Sequence, residues 1–323
     1  MEAKWFSRTR LYWVKPIHGQ GKLHSMKRLS IIGCGKLGKA LARLWHDASA
    51  FTVTDLINQT TVAADASVQF VGTGNPLSTD EPLNPAELFL IATPDSLIEH
   101  CCETLVASGS IGANSTVFHC SGALPSSVLS SAQAVGASVA SIHPVRSFAN
   151  PHNVVSSFSG TYCAAEGDSV ALEQLTTAFE AIGGQLFVIE PENKTQYHAA
   201  NVIVCNYLNT LLDVGMKVFE GVGIERSLST KLMAPLVRET LENILASDPA
   251  RALTGPIARG DVSTVEKHLS ALTTKNSEEA LLYQQLGLMT LPLAKAQGNA
   301  SEHSLALLEA LLSNKTSLKP GLE

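Results

Sequence analysis

A six-residue pattern with three glycines, Gly33-Cys34-Gly35-Lys36-Leu37-Gly38, constrains the fold of this chain more than any other feature of its sequence. It follows the apolar run at residues 29–32 and precedes a stretch with helical periodicity at residues 39–48. In such a strand–turn–helix unit the first glycine allows the tight turn and the second lets a diphosphate approach the backbone. The third lets helix and strand pack closely, and the amide end of the helix faces the anion. A glycine-rich turn without function would show the same letters, but the position between strand and helix favours a dinucleotide site.

Apolar and helical segments alternate from residue 29 to residue 190. Predicted strands occupy residues 29–33, 51–57, 68–72, 88–92, 115–120, 137–143, 161–167 and 185–190, with helices between most of them. Residues 88–92 are continuously apolar, as expected of a parallel strand that is buried on both faces. The alternation therefore predicts an open, mostly parallel, doubly wound α/β sheet.

The alternation stops after Glu190, and the remaining sequence is helical almost throughout. Helices are predicted near residues 193–222, 228–247, 262–273 and 277–296, followed by one short helix and a polar tail. We therefore expect an extension at residues 1–25, a dinucleotide-binding domain at residues 26–190 and a helical domain at residues 191–323.

The extension at residues 1–25 carries five lysines and arginines against one acid, Glu2, and shows no clear periodicity. Met26, in contrast, opens a segment typical of the start of a dinucleotide-binding domain. We interpret residues 1–25 as a disordered extension or as the result of a mis-assigned start codon. A basic organelle-targeting segment is the alternative.

The amino-acid composition limits the kinds of protein that this chain can be. A chain of 323 residues that is 45% hydrophobic and 16% charged is typical of a soluble globular protein with a substantial core. The net charge of −6 gives no basic surface for nucleic acid, and no continuous apolar run reaches the ~18 residues of a membrane helix. The six cysteines lack the paired spacings of a zinc site or a disulfide framework. We therefore expect reduced thiols, no metal and a cytoplasmic location.

The type of dinucleotide is predicted from the end of the second strand. An acid there would bind the ribose 2′-hydroxyl and favour NAD. Asp55 is the nearest acid, but a strand that runs through Ile57 places Asn58-Gln59-Thr60 over the ribose, and this trio is uncharged. We therefore expect NADP, with NAD as the alternative, and we interpret Asp55 as a strand acid outside the binding site.

Polar segments follow three further strands. Thr93-Pro94 is expected to border the middle of the cofactor, because ligands bind beyond the carboxyl ends of such strands. Ser121-Gly122 offers a hydroxyl and an amide that could hold a carboxylate or a polarised carbonyl oxygen, unless it is an ordinary turn. His143 and Arg146 follow the next strand, where the arginine could bind a carboxylate with two hydrogen bonds. A buried histidine beside an exposed arginine is the alternative.

Lys194, His198 and Asn201 share one face at the start of the first helix after Glu190. The helix dipole opposes a cation in the first turn and would lower the pKa of Lys194, which suits a proton donor to a developing alkoxide. A solvated polar stripe is the alternative interpretation. Arg259 lies in a dense turn and is a candidate substrate contact, although a structural turn would look the same.

From Met26 to about Leu312 the sequence resembles a family that joins a Rossmann-like domain to a helical domain of unknown function. The resemblance rests on five segments: IIGCGKLGKALARLW, HCSGALPSSVL, SIHPVRSFANP, NKTQYHAAN and ALTGPIARGDVSTVEKHL. More broadly, the chain is similar to the 6-phosphogluconate and 3-hydroxyisobutyrate dehydrogenase superfamily, which includes ketopantoate, pyrroline-carboxylate and prephenate enzymes. The resemblance implies a Rossmann doubly wound sheet followed by an all-helical C-terminal domain, which would build a homodimer.

The resemblance also implies roles for single residues. In the hydroxyacid members the helical domain opens with a catalytic lysine, followed four residues later by an asparagine. Lys194 matches that lysine, whereas His198 stands at the asparagine position and can itself exchange protons near neutral pH. Ser121-Gly122 resembles the substrate-binding serine region, and His143 resembles the histidine of the His-Pro turn in prephenate dehydrogenases. The loop Asn58-Gln59-Thr60 keeps the frame of its relatives but lacks their arginine.

Together these features predict a reductase that transfers a hydride from NADPH to a small carbonyl or imine that bears a carboxylate, with ketopantoate as the leading substrate. Lys194 and His198 would supply the proton, and Asn201 would support Lys194. The expected substrate contacts are Ser121, Gly122, His143, Arg146, Asn201 and Arg259. A non-catalytic dinucleotide sensor is the alternative from another class, and a deazaflavin-dependent reductase is a third.

Overall fold

The computed structural model describes residues 26–275 and 277–314, so the expectation for residues 1–25 falls outside the described part of the chain. The chain divides into two compact units, the first ending at Val204 and the second beginning at Cys205. This division lies C-terminal to the boundary expected at residue 190. The difference arises because the helix that opens with Lys194 belongs to the first unit, where the lysine side chain is fully buried.

The first unit contains an eight-stranded sheet. Its strands are β1 (Arg28–Ile32), β2 (Thr52–Asn58), β3 (Asn75–Ser78), β4 (Leu88–Ile91), β5 (Thr116–His119), β6 (Ser138–Pro144), β7 (Tyr162–Gly167) and β8 (Gln185–Val188). They lie in the order β3-β2-β1-β4-β5-β6-β7-β8. Every neighbouring pair is parallel except β6 and β7. The predicted doubly wound, mostly parallel sheet is confirmed.

Helices cover both faces of this sheet. They are α1 (Lys36–Asp47), α2 (Thr61–Val71), α3 (Asp95–Ala107), α4 (Ser130–Ala134), α5 (Pro151–Ser157), α6 (Ser169–Ala181) and α7 (Lys194–Asn201). One core cluster contains apolar residues of α1, α5 and α6, and the other contains those of α3 and α4. Trp45 is central to the first cluster: its ring makes edge contacts with Phe118 and Phe179, and its indole nitrogen donates to the Ala178 carbonyl at 3.1 Å.

One predicted strand is wrong. Residues 68–72 do not form a strand, because residues 68–71 are the last turn of α2, where Ala64, Ser67 and Val71 are buried at helical spacing. Gly72 ends this helix with a φ of 87°, a left-handed conformation that suits glycine. The third strand is instead the edge strand β3, which opens at Asn75. A short apolar run fits both the helical and the strand periodicity. Only the helix start at Thr60 could have distinguished a helix from a strand here.

The second unit is helical, as predicted. Its helices are α8 (Tyr207–Gly221), α9 (Arg226–Ala246), α10 (Pro249–Ala252), α11 (Val262–Lys275), α12 (Ser277–Gln297) and α13 (Glu302–Ser313). A π-helical turn, Val202–Asn206, connects α7 to α8. The core of this unit consists of Val265, Leu269, Ala294, Leu305, Leu308 and Leu312.

Pro191–Gly221 is the one helical stretch in the described part of the chain that is long and apolar enough to cross a membrane, with a mean hydropathy of 1.3. Polar residues such as Gln196, Asn201 and Asn206 interrupt it, so the sequence shows no continuous apolar run of that length. A single stretch of this kind does not indicate a membrane protein.

Candidate active site

Most of the residues predicted to bind ligands follow the carboxyl ends of parallel strands. Along the sheet these ends are Asn58 of β2, Gly33 after β1, Thr93-Pro94 after β4 and Ser121 after β5, with His143 near the end of β6. Neighbouring strands are ~4.8 Å apart, and their carboxyl ends lie at the same edge. The fold therefore arranges these residues in one row, in the order in which an extended dinucleotide would meet them.

The glycine turn leaves room for an anion at the start of α1. Gly33 has a φ of 79°, and a Cβ there would lie 2.6 Å from the Thr93 methyl carbon, so only glycine fits. At Gly35, in contrast, the nearest atom to an added Cβ is the Gly33 carbonyl oxygen at 3.9 Å. The first helical residues, Lys36 and Leu37, follow Gly35 with no side-chain cap and no acid in the first turn. The free helix amides and the open face of Gly35 fit a diphosphate.

The ribose loop carries no acid, and part of it holds the glycine turn in place. Asn58 donates to the Ser67 hydroxyl at 3.1 Å, and that hydroxyl donates to the Cys34 carbonyl at 2.9 Å. Thr60 caps α2 by accepting from the Ala63 amide, and Gln59 is exposed. Of the predicted trio, Asn58 therefore has a structural role as well as its place in the loop.

Asp55 lies away from this loop. It is fully buried and accepts hydrogen bonds from the backbone amide and the side-chain amide of Asn84, at 2.8 Å and 2.7 Å. The interpretation of Asp55 as a strand acid outside the ribose site agrees with this placement.

Ser121 builds the turn after β5. Its hydroxyl donates to Asp95 Oδ2 at 2.7 Å and accepts from the amides of Ala123 and Leu124. Its own amide donates to His119 Nδ1 at 3.1 Å. Since Nδ1 accepts, the proton of this ring is on Nε2, which lies 3.2 Å from the Pro125 carbonyl and donates to it. Burial lowers the pKa of His119 to about 4, so the ring is neutral at neutral pH.

Gly122 packs against two imidazoles. A Cβ at this position would lie 2.5 Å from His198 Nδ1 and 2.9 Å from His143 Nε2. The other nitrogen of His143 is 2.9 Å from the Tyr197 hydroxyl. We name Gly122, His143, Tyr197 and His198 the Gly122 cluster. Both nitrogens next to Gly122 thus lie close to one point at the carboxyl edge of the sheet.

The nitrogens of the Gly122 cluster differ in their surroundings. Burial, together with the neighbouring charge of Lys194, lowers the pKa of His143 to about 4, so this ring is neutral at neutral pH. Burial raises the pKa of Tyr197 to about 12, and its hydroxyl stays protonated. His198 Nδ1 is buried and has no hydrogen-bond partner among the described residues. The hydrogen-bonding capacity of this nitrogen is therefore unused within the described part of the chain.

Lys194 lies under the cluster and is fully buried. Its ammonium donates to the Ser121 carbonyl at 3.1 Å and to the Ser141 hydroxyl at 2.7 Å, and it lies 3.8 Å from Glu166 Oε1. Burial lowers the pKa of Lys194, and the charge of Glu166 opposes that shift. The predicted proximity of Lys194 to Ser121 is present, but two of the three donor positions of the ammonium are used by protein atoms and the side chain is fully buried.

Arg146 is not part of the cluster. Its guanidinium donates to the carbonyl and the hydroxyl of Ser157 and to the Thr161 hydroxyl, and it stacks over the Phe158 ring. These contacts occupy two of its three nitrogens, while Nε has no partner among the described residues, and the role of Arg146 in binding a carboxylate stays a prediction. Two residues beyond β6 the chain has already turned towards α5, so the side chain serves that turn.

Two further expectations involve the helices after Glu190. Asn201 donates to the Tyr197 carbonyl at 3.1 Å, one turn earlier in its own helix, rather than to Lys194. Its expected support of Lys194 is therefore corrected. Arg259 is exposed in the loop before α11 of the second unit, and its role as a substrate contact stays a prediction.

Several residues of the site were not singled out from the sequence. Asp95, Glu166, Ser141, His119 and Tyr197 each bond to a predicted residue. The available signal was a polar residue inside an otherwise apolar strand, as for Ser141 and Glu166. Among the described residues, no group of three histidines, cysteines or acids could hold a metal ion.

Two family models match the chain. A Rossmann-like domain matches residues 17–144, and a domain of unknown function, DUF2520, matches residues 161–290. The resemblance inferred from the sequence motifs is thereby confirmed. No curated protein matches the chain.

Solved structures share the whole architecture. A protein from Thermotoga maritima is 24% identical, with a TM-score of 0.66, and the match covers 83% of this chain and 99% of that protein. A candidate NADP oxidoreductase from Bacteroides fragilis is 19% identical, with a TM-score of 0.66, over 84% of this chain and 98% of that one. An imine reductase from a Pseudomonas species is 16% identical, with a TM-score of 0.56, over 89% and 100%. At these identities the likeness establishes the fold.

Proposed function

Because this chain carries a Rossmann-like domain followed by a DUF2520 domain, we propose that it is a reductase that uses NADPH to reduce a small molecule at a C=O or C=N bond. The observation that carries this proposal is the row of groups along one sheet edge. The open glycine turn comes first, then Asp95, and then the Gly122 cluster with its unpartnered His198 nitrogen. This order would place the diphosphate at one end and the reacting end of the cofactor beside the imidazoles.

The residues present fit a dinucleotide. The amides at the start of α1 would hold the diphosphate, with Gly35 in contact with it, and Asn58-Gln59-Thr60 would border the adenosine ribose. Thr93-Pro94 would border the middle of the cofactor. No acid of the loop would repel a 2′-phosphate, which favours NADP, with NAD as the alternative. When bound, the reduced nicotinamide supplies the hydride.

Side chains of the protein would supply the proton that the reaction needs. The oxygen or nitrogen of the reduced bond gains electron density when the hydride arrives, and it needs a proton. His198 Nδ1 has no hydrogen-bond partner in the described part of the chain, so we assign the exchange of that proton to it. His143 Nε2 would orient the same atom of the substrate. Lys194 would act through Ser121 and Ser141, holding the turn against which the substrate lies, because its ammonium is fully buried.

The comparisons support this reading of the site. The proteins that share the fold include an imine reductase and a candidate NADP oxidoreductase. Small 2-oxo acids such as ketopantoate are one substrate class for the proposed enzyme, and imines are the other. The superfamily likeness further favours a soluble cytoplasmic homodimer built through the helical domain.

Cofactor binding is tested with Gly35→Ala. An added Cβ meets no protein atom closer than 3.9 Å, so we expect a melting temperature close to that of the wild type. The same methyl would lie where the diphosphate contacts the backbone, and we expect the Kd for NADPH to rise by about tenfold or more. Unchanged NADPH affinity would contradict the assigned cofactor site.

Chemistry is tested with His198→Asn, which keeps a polar side chain of similar reach. NADPH and NADH oxidation is followed with a panel of 2-oxo acids and cyclic imines, and His100→Asn, at an exposed side chain of α3, is the control. We expect His198→Asn to lower kcat by about 10²-fold or more while NADPH affinity is retained. Tight NADPH binding by the wild type without any turnover would favour a dinucleotide sensor instead.

A further inference from the structure

We propose that the group reduced at this site is an iminium, the protonated form of an imine, and that Asp95 selects it through its negative charge. The proposal rests on the proposed function and narrows it to one substrate class. It predicts that a 2-oxo acid such as ketopantoate is the poorer substrate.

The argument begins with the charges around Gly122. The titratable groups there are Asp95 at the start of α3, His119 and Cys120 at the end of β5, His143 on β6, Glu166 on β7, and Lys194, Tyr197 and His198 on α7. Burial raises the pKa of the Cys120 thiol and of the Tyr197 phenol, which therefore stay protonated. The rings of His119 and His143, with pKa values of about 4, are neutral at neutral pH.

Two opposite charges in this set compensate each other. The Lys194 ammonium lies 3.8 Å from Glu166 Oε1, and both side chains are almost completely buried. Both oxygens of Glu166 accept hydrogen bonds from Ser126, one from its amide and one from its hydroxyl. Glu166 offsets part of the Lys194 charge, which still lowers the pKa of His119 and His143.

Asp95 is the exposed charge of this set, whereas Lys194 and Glu166 are buried. Among the described residues, Asp95 Oδ2 accepts a hydrogen bond from the Ser121 hydroxyl alone, a neutral donor one residue before Gly122. Within the described residues of the first unit, no ion pair joins Asp95 to a lysine or arginine. The residue expected to supply a cation at this edge, Arg146, is bonded to Ser157 and Thr161 instead. The edge therefore presents a carboxylate beside neutral imidazoles.

Such an arrangement favours a cation. A carboxylate close to a titratable nitrogen stabilises its protonated form, so Asp95 would raise the pKa of a bound imine and increase its iminium fraction. An iminium carbon accepts a hydride more readily than a neutral imine carbon. A 2-oxo acid would instead bring its own carboxylate towards Asp95 and develop a second negative charge on its oxygen, and both are disfavoured there.

The reaction balances without another reactant. The imine nitrogen uses its lone pair to take a proton through His198, and the resulting iminium carbon accepts the hydride with its electron pair from the reduced nicotinamide. The π electrons of the C=N bond become the lone pair of the amine nitrogen. The carbon is reduced, the dinucleotide is oxidised, and the amine takes a further proton from water after release.

The test uses the full chain, NADPH and two probes: 2-methyl-1-pyrroline, a cyclic imine without a carboxylate, and ketopantoate. Asp95→Asn keeps an oxygen that can accept from Ser121 and removes the charge, and Asp80→Asn, an exposed acid in the loop after β3, is the matched control. We expect the wild type and Asp80→Asn to have a higher kcat/KM for the imine than for ketopantoate. Asp95→Asn should lower the value for the imine by about tenfold or more and leave that for ketopantoate equal or higher.

The pH profile gives a readout that a purely structural role would not change. Loss of the Asp95 charge should move the alkaline limb of the kcat profile for the imine to lower pH, because kcat reports groups in the complex and the bound iminium loses its proton more easily. Faster reduction of ketopantoate than of the imine by the wild type would overturn the proposal, as would an Asp95→Asn profile identical to that of the wild type.

A binding measurement separates this proposal from the proposed function. Pyrrolidine, a cyclic ammonium ion at neutral pH, is titrated calorimetrically into the protein with NADP⁺ present. Asp95-dependent binding without turnover of any probe would remove the reductase function and leave the cation site standing. Binding of ketopantoate but not of pyrrolidine would overturn the cation site, whatever the turnover.

Discussion

Gly122 shows how strongly a single position constrains this site. A methyl group there would lie 2.5 Å from His198 Nδ1 and 2.9 Å from His143 Nε2, so both rings would have to move. We expect Gly122→Ala to reduce the free energy of unfolding by about 1–3 kcal/mol and to lower kcat more than it lowers NADPH affinity. Gly112→Ala, where an added Cβ meets nothing within 4 Å, is the control in urea unfolding. Equal stability of the two variants would contradict the close packing at Gly122.

His119 should couple stability to pH. Its pKa is about 4 in the folded protein, below the reference value of 6.5, because burial disfavours the charged ring. As the pH falls from 6.5 towards 4, the ring is protonated in the unfolded chain but not in the folded one, so the free energy of unfolding falls. The loss approaches about 3 kcal/mol at pH 4.

The check is urea unfolding between pH 4.5 and 7 for the wild type and His119→Asn. The asparagine oxygen can accept from the Ser121 amide as Nδ1 does, but it does not titrate. We expect the free energy of unfolding of the variant to fall less steeply as the pH is lowered, because about one proton fewer is taken up on unfolding. His143 continues to contribute to the remaining pH dependence. Parallel curves would show that His119 is not the titrating group.

The residues of the site were predictable where they followed a strand end. Ser121, Gly122 and His143 come together because strand order brings consecutive carboxyl ends side by side, and Lys194 and His198 reach them from α7. Asp95 and Glu166 were missed because their roles depend on partners far away in sequence. The contacts of Arg146 with Ser157 and Thr161 were not predicted, because sequence spacing does not reveal which way the chain turns after a strand.

At the scale of elements, α2 supports the glycine turn. The Ser67 hydroxyl of α2 donates to the Cys34 carbonyl and accepts from Asn58, so one side chain joins the turn, the helix and the end of β2. We expect Ser67→Ala to reduce the free energy of unfolding by about 1–3 kcal/mol, because a buried carbonyl loses its donor, and to weaken NADPH binding severalfold. Thr104→Ala, whose hydroxyl bonds only to its own helix, is the control by fluorescence titration. Undiminished NADPH affinity in Ser67→Ala would mean that the turn keeps its shape without α2.

Helices and strands with a clear pattern of apolar residues were predicted well, and short elements were not. Buried strands such as β4 and the long helices of the second unit follow from apolar runs and from helical periodicity. The strand prediction for residues 68–72 was wrong because a run of a few apolar residues fits both the helical and the strand periodicity. The N-cap at Thr60 decides in favour of the helix. The edge strand β3, which contains Pro76, has little strand character of its own and is defined by pairing with β2.

At the scale of the whole molecule, the proposed homodimer makes a prediction about the second unit. Large apolar side chains are exposed on α9, among them Leu236 at 63% and Leu245 at 85%. If they lie in a dimer interface, Leu236→Glu should shift the protein from dimer to monomer in sedimentation velocity, because a buried unpaired carboxylate is costly. Val170→Glu, at an exposed valine of the first unit, should leave the assembly unchanged. A monomeric wild type, or a Leu236→Glu protein that remains dimeric, would refute an interface at this position.

The buried pair of Lys194 and Glu166 also orders events during synthesis. Glu166 sits on β7, and its counter-charge is encoded 28 residues later, beyond the last strand of the sheet. While a ribosome has released β1 to β8 but not yet α7, the nascent sheet holds a carboxylate with no cation to compensate it. The sheet therefore gains its final stability only when Lys194 emerges and docks.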